Sequence, residues 1–126
     1  MNTFTKDDIE AALQAIASMI SRTENAKAKF AIGTSQHTLQ ENRLKALHIA
    51  SSLLSKQLTG GETVDYTKED LKKAIAPLAS LISKSEKAQE KLKEGSWQHT
   101  MLSNNLKALH LASPLLTIAL SAINGD

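Results

Sequence analysis

The sequence predicts an all-α protein: a four-helix up-down-up-down bundle made of two tandem helical-hairpin repeats with pseudo-two-fold symmetry. Three observations predict it. The stretch Gln36 to Leu54, QHTLQENRLKALHIASSLL, returns 62 positions later without a gap as QHTMLSNNLKALHLASPLL, Gln98 to Leu116. Apolar residues recur at three- and four-residue spacing, the period of a helix with one buried face. The 41% hydrophobic content comes mainly from Leu, Ile and Ala, with only 3% aromatics, which suits helix packing better than a sandwich of aromatic and β-branched strands. Matching Phe4-Thr5-Lys6-Asp7-Asp8-Ile9 to Tyr66-Thr67-Lys68-Glu69-Asp70-Leu71 extends the repeat to residues 4–58 and 66–120, joined by a linker at 59–65. With 126 residues in all, a single domain over 1–126 with one core is expected.

The first helix begins at Thr5, an N-cap residue followed by Asp7 and Asp8, whose carboxylates favour the positive end of the helix dipole. Phe4 and Ile9 flank this cap at the spacing of a hydrophobic staple, and Tyr66 and Leu71 repeat it around Thr67. Ile9, Ala12, Leu13, Ile16, Met19, Ile20 and Phe30 carry the apolar period, so the helix is expected to run to about Phe30. Gly33 ends it, and Thr34 or Ser35 caps a second helix over about 35–58. The linker holds the Gly60-Gly61 pair and is too short to cross a long bundle comfortably, which sets the antiparallel order. A third helix is expected from Lys68 to about Lys93, closed by Gly95, and a fourth from Ser96 to about Ile123. Pro77 and Pro114 stand inside the last two, at matching heights on facing helices, and predict a shared bend that could open a small-ligand pocket between them. Trp97, at the start of the fourth helix, is expected to close the bundle end by packing, with a place on an outer binding patch as the alternative.

On a helical wheel Leu39, Gln40, Ala46, Leu47, Ala50, Leu53 and Leu54 form one arc of the second helix. Its Leu53 edge, matched by Leu115, is a possible homodimer face. Opposite stand His37, Thr38, Asn42, Lys45 and His48, which recur unchanged as His99, Thr100, Asn104, Lys107 and His110. The outer face of the first helix has drifted meanwhile, as in Glu10 to Lys72, Asn25 to Lys87 and Ala28 to Glu90. Recent duplication, with Asn and His capping or bonding locally, is the structural reading of this sameness; the functional one makes these ten residues the candidate interaction surface, two like stripes offered to a protein partner.

Net charge is only +2, leaving no field to steer a phosphate backbone or anionic lipid, so neither nucleic acid nor membrane is an expected partner. Without cysteine there is no thiolate metal site and no thiol catalysis, as suits a reducing cytoplasm. No basic-then-apolar leader and no uninterrupted apolar run of about 20 residues is found, and the chain is read as soluble. Within one helix His37 and His48 are roughly 16 Å apart by helical rise, too far for one metal ion. The Glu-x-x-His pattern of di-iron bundles, phosphate-binding glycine loops and nucleophile elbows are missing. No catalytic residue, metal or cofactor is therefore expected.

His37-Thr38-Leu39 resembles the His-x-Leu start of the phosphorylated helix in histidine phosphotransfer domains, which are four-helix bundles of similar size. The resemblance implies phosphorylation of an exposed histidine, His37 or His99. The chain departs from that pattern at the next positions, where Gln40 and Glu41, or Leu102 and Ser103, replace the usual Lys and Gly. A carboxylate beside the histidine would repel a phosphoryl donor. The leading expectation is a non-catalytic bundle working by protein contact, with phosphotransfer-like signalling and small-ligand binding as alternatives.

Overall fold

The computed structural model describes residues 5–60 and 66–123. The described residues form four helices: α1 (Lys6–Lys27), α2 (Ser35–Thr59), α3 (Lys68–Glu90) and α4 (Trp97–Ile123). No strand occurs among the described residues. Consecutive helices pack together, α1 also packs on α4, and α2 touches α4 across the middle while α1 and α3 stay apart. Neighbours run antiparallel. Gln89 of α3 donates to the carbonyl of His99 and to Ser103 Oγ in α4, Ser52 Oγ of α2 lies 3.1 Å from Tyr66 Oη at the entry to α3, and Arg22 late in α1 reaches Met101 early in α4.

Helix starts follow from the capping residues. Thr5 Oγ1 accepts the Asp8 N–H at 3.0 Å and Asp8 Oδ2 accepts the Thr5 N–H at 3.1 Å, a reciprocal capping box. Thr67 and Asp70 repeat it at the same two distances. The α1–α2 and α3–α4 connections are built alike. Thr34 N–H bonds to the Ala31 carbonyl across Ile32-Gly33, and Ser96 N–H to the Lys93 carbonyl across Glu94-Gly95. The glycines hold φ of 96° and 91°, the positive value that the third residue of a type II turn demands and that other residues resist.

The helix ends differ from expectation in one respect. α1 stops at Lys27, and Lys29 and Phe30 turn tightly onto the Ala26 and Lys27 carbonyls; Phe30 is exposed rather than part of the apolar period. α3 likewise stops at Glu90, short of Lys93. Gly60 caps α2 in the left-handed conformation, whereas the rest of the linker and Phe4, half of the first expected staple, lie outside the described residues. The second staple's residues are present, with Leu71 buried and Tyr66 packed against the core.

The core is a stack of leucine, isoleucine and alanine. Ile9, Ala12, Ile16 and Met19 line α1, Leu71, Ala74 and Leu78 line α3, and both pair with Leu47, Ala50 and Leu54 of α2 and Leu109, Ala112 and Leu116 of α4. These residues follow the three- and four-residue steps that keep one helix face turned inward. Leu53 belongs to this core at 5% exposure, and Leu115, its counterpart in α4, is half-buried against it. Pro77 and Pro114 interrupt neither α3 nor α4. α4 is long and apolar enough by length and composition to cross a bilayer, with a mean hydropathy of 1.6 over its most apolar 18 residues, 28% of them buried, although Asn, Lys and His interrupt its apolar run. Helices of soluble cores meet the same two criteria of length and composition.

Candidate functional site

The ten stripe residues occupy the outward faces of α2 and α4. Thr38, Asn42, Lys45 and His48 are exposed on α2, and Thr100, Asn104, Lys107 and His110 are exposed on α4. His37 and His99 are half-buried in the first turns. The backbone N–H of His37 bonds to Thr34 Oγ1 and that of His99 to Ser96 Oγ, each at 3.2 Å, so a hydroxyl from the preceding turn fixes where each stripe begins.

Each stripe borders a groove between its helix and a neighbour. Asn42, Lys45 and His48 of α2 face Asp70, Lys73 and Ala74 of α3 across a groove of about 340 Å³, with Tyr66 at one end. Thr100, Asn104 and Lys107 of α4 face Asp8, Gln14 and Ser18 of α1 across a larger groove of about 450 Å³, floored by Ala11, Ala12, Ala15 and Ala108. Neither groove lies between α3 and α4, where the prolines led a pocket to be expected. Short alanine side chains on both walls open the larger groove, because they leave unfilled the space that leucines would occupy.

Asp8 stands at the head of this groove, and its carboxyl is held below the ordinary aspartate value. The principal cause is the hydrogen bond it accepts from the Thr5 backbone N–H, followed by that from the Thr5 side chain and the positive charge of Lys107. Asp8 and Lys107 both line the groove, one charge of each sign.

Trp97 lines the far end of the same groove with its ring 71% exposed. At the first residue of α4 it stays exposed rather than closing the bundle end, which leaves the outer-patch alternative. Leu39, placed in the apolar arc from the wheel, is likewise 42% exposed in the early turns of α2.

Two polar residues that the stripes do not include are set toward the interior. Asn105 is 5% exposed, forms part of the larger groove's wall, and its side chain makes no hydrogen bond among the described residues. Arg43, at the corresponding position of α2, has Nε and Nη2 fully buried without a partner. Their sequence signal was available: Asn105-Leu109-Ala112-Leu116 and Arg43-Leu47-Ala50-Leu54 step by four, three and four, the rhythm of an interior seam.

No group of three or more His, Asp or Glu side chains converges among the described residues, and none of the four histidines is buried. Compared with known proteins, the chain matches no protein family, no curated protein and no solved structure.

Proposed function

We propose that this protein is a small non-catalytic helical bundle, built from two copies of one hairpin about an approximate two-fold axis, that acts in the cytoplasm by contact with another protein. The observation that carries the reading is the location of the retained polar residues. Asn42 and Lys45 border one groove, Asn104 and Lys107 the other, and each pair faces an aspartate, Asp70 or Asp8, that is also 62 positions from its counterpart. Side chains this exposed contribute little to folding, so identical choices at two sites are better explained by two like surfaces meeting a partner. A partner with its own two-fold symmetry, or one with two equivalent segments, would gain from engaging both.

The test is affinity capture from the source cell with the wild-type chain and with the double variant Lys45→Glu, Lys107→Glu. Both lysines are exposed, so the variant should keep its helical circular dichroism. Selective loss of captured protein is expected. Equal capture by the folded variant would refute the stripe as the contact surface, and acid-labile phosphate on His37 or His99 after incubation with a histidine kinase would replace this reading with a phosphotransfer one.

A further inference from the structure

The α1–α4 groove is more than a gap between helices, because a carboxamide is stranded in its wall. Asn105 carries two N–H donors and a carbonyl acceptor, is 95% removed from solvent, the complement of its 5% exposure, and bonds to nothing among the described residues. Its atoms are not sealed in the protein, since the residue lines the groove. The alanine floor lets another backbone approach this amide closely.

We infer that the α1–α4 groove binds a short, uncharged, extended peptide segment of a partner protein, with Asn105 hydrogen-bonding its backbone and Trp97 packing against one of its side chains. This rests on the reading of the protein as a contact module and names the chemistry that one of its surfaces takes. A carboxamide offers one donor edge beside one acceptor, the complement of the N–H and C=O that an extended residue presents on one side. A helical segment has already committed those groups internally. The wall from Asp8 to Ser18 covers about 15 Å by helical rise, room for four or five extended residues. One aspartate and one lysine, Asp8 and Lys107, line the groove, so it carries no net charge to select a phosphate or carboxylate. The sister groove serves as an internal control: Lys73 lines it where Ala11 lines this one, and Arg43 replaces Asn105.

Trp97 is the only tryptophan, so its emission reports on this groove alone. The purified chain is titrated with a pool of acetylated, amidated, uncharged pentapeptides lacking tryptophan. Parallel arms use the same pool methylated on its backbone nitrogens, and maltotriose, a sugar that a tryptophan-and-amide groove would also suit. A saturable blue shift with one site per chain is expected, on the order of tenfold weaker for the methylated pool and for Asn105→Leu. Ala11→Lys places in this groove the side chain that its sister tolerates, at an exposed position that leaves the fold intact, and should weaken binding at least as much. No saturable response, equal binding of methylated peptides, response to maltotriose alone, or unaltered affinity in Ala11→Lys would each overturn the assignment. Those failures leave the capture by Lys45 and Lys107 untouched, so failure of the groove assignment is distinguishable from failure of the contact reading on which it rests.

Discussion

Replacing Arg43 with methionine should make the protein more stable. The guanidinium Nε and Nη2 are enclosed without a hydrogen-bond partner, and an orphaned polar atom costs about 1–3 kcal/mol, more when the group is charged. The residue as a whole is only partly buried, so its charge keeps some water and the upper figures do not apply. Methionine keeps an unbranched stem of similar reach and nearly the same helix propensity, so packing and backbone terms roughly cancel. The balance is a gain of about 1–2 kcal/mol, within the range seen when buried ionic groups give way to apolar ones. In urea, with a slope of roughly 2 kcal/mol per molar for a domain of this size, the midpoint should rise by roughly 0.5–1 M with no change in slope. The melting temperature should rise by about 3–8 °C. Arg43→Gln, which discards the charge but keeps an unpaired amide, should fall between the two. A midpoint that stays put or drops in Arg43→Met would refute the reasoning, since the guanidinium would then be engaged in something worth more than its desolvation.

The capping boxes give a second expectation: Thr5→Ala and Thr67→Ala should each cost about 1 kcal/mol, and because they sit on α1 and α3, which do not touch, the double variant should lose the sum within about 0.5 kcal/mol. Urea midpoints decide this, and a double variant no worse than either single one would count against two independent caps. The third concerns acid. The Asp8 carboxyl is depressed by the Thr5 hydrogen bonds first and Lys107 last, so its folded value lies below its unfolded value. The linked stability is present above the ordinary aspartate range and lost as pH falls through the depressed folded value. Asp8→Asn should therefore flatten the fall of the urea midpoint in that acid window while leaving its pH dependence near neutrality alone, and an unchanged acid limb would remove Asp8 from the account.

The helices were legible because their cues are local. Thr5, Thr34 and Thr67 each bring a cap to the residue where α1, α2 or α3 begins, and Gly33 and Gly95 mark the turns. The ends were less so, because Phe30 continues the apolar spacing while the chain has already left the helix at Lys27. A wheel assigns a bearing and not a neighbour, which is why Leu39 was placed inside although no helix covers it at its level. The outward stripe on both helices was readable from repeated letters. The grooves beside it were not, since they arise where alanines of α1 meet those of α4, a pairing fixed only by tertiary packing. Asn105 and Arg43 are legible from their seam spacing, each opening a four-three-four run of buried leucine and alanine.

The contact of α2 with α4 makes these two helices a spine and leaves α1 and α3 as flanks. A spine residue must satisfy three partners at once, and the letters that repeat there, such as Ala46 with Ala108, Leu47 with Leu109 and Ala50 with Ala112, are buried ones. Flank residues answer to two partners and to water, which gave Glu10 and Lys72, or Ala28 and Glu90, freedom to diverge. Mechanical constraint thus accounts for the sameness of the spine's interior, while His48, His110, Lys45 and Lys107 lie beyond its reach.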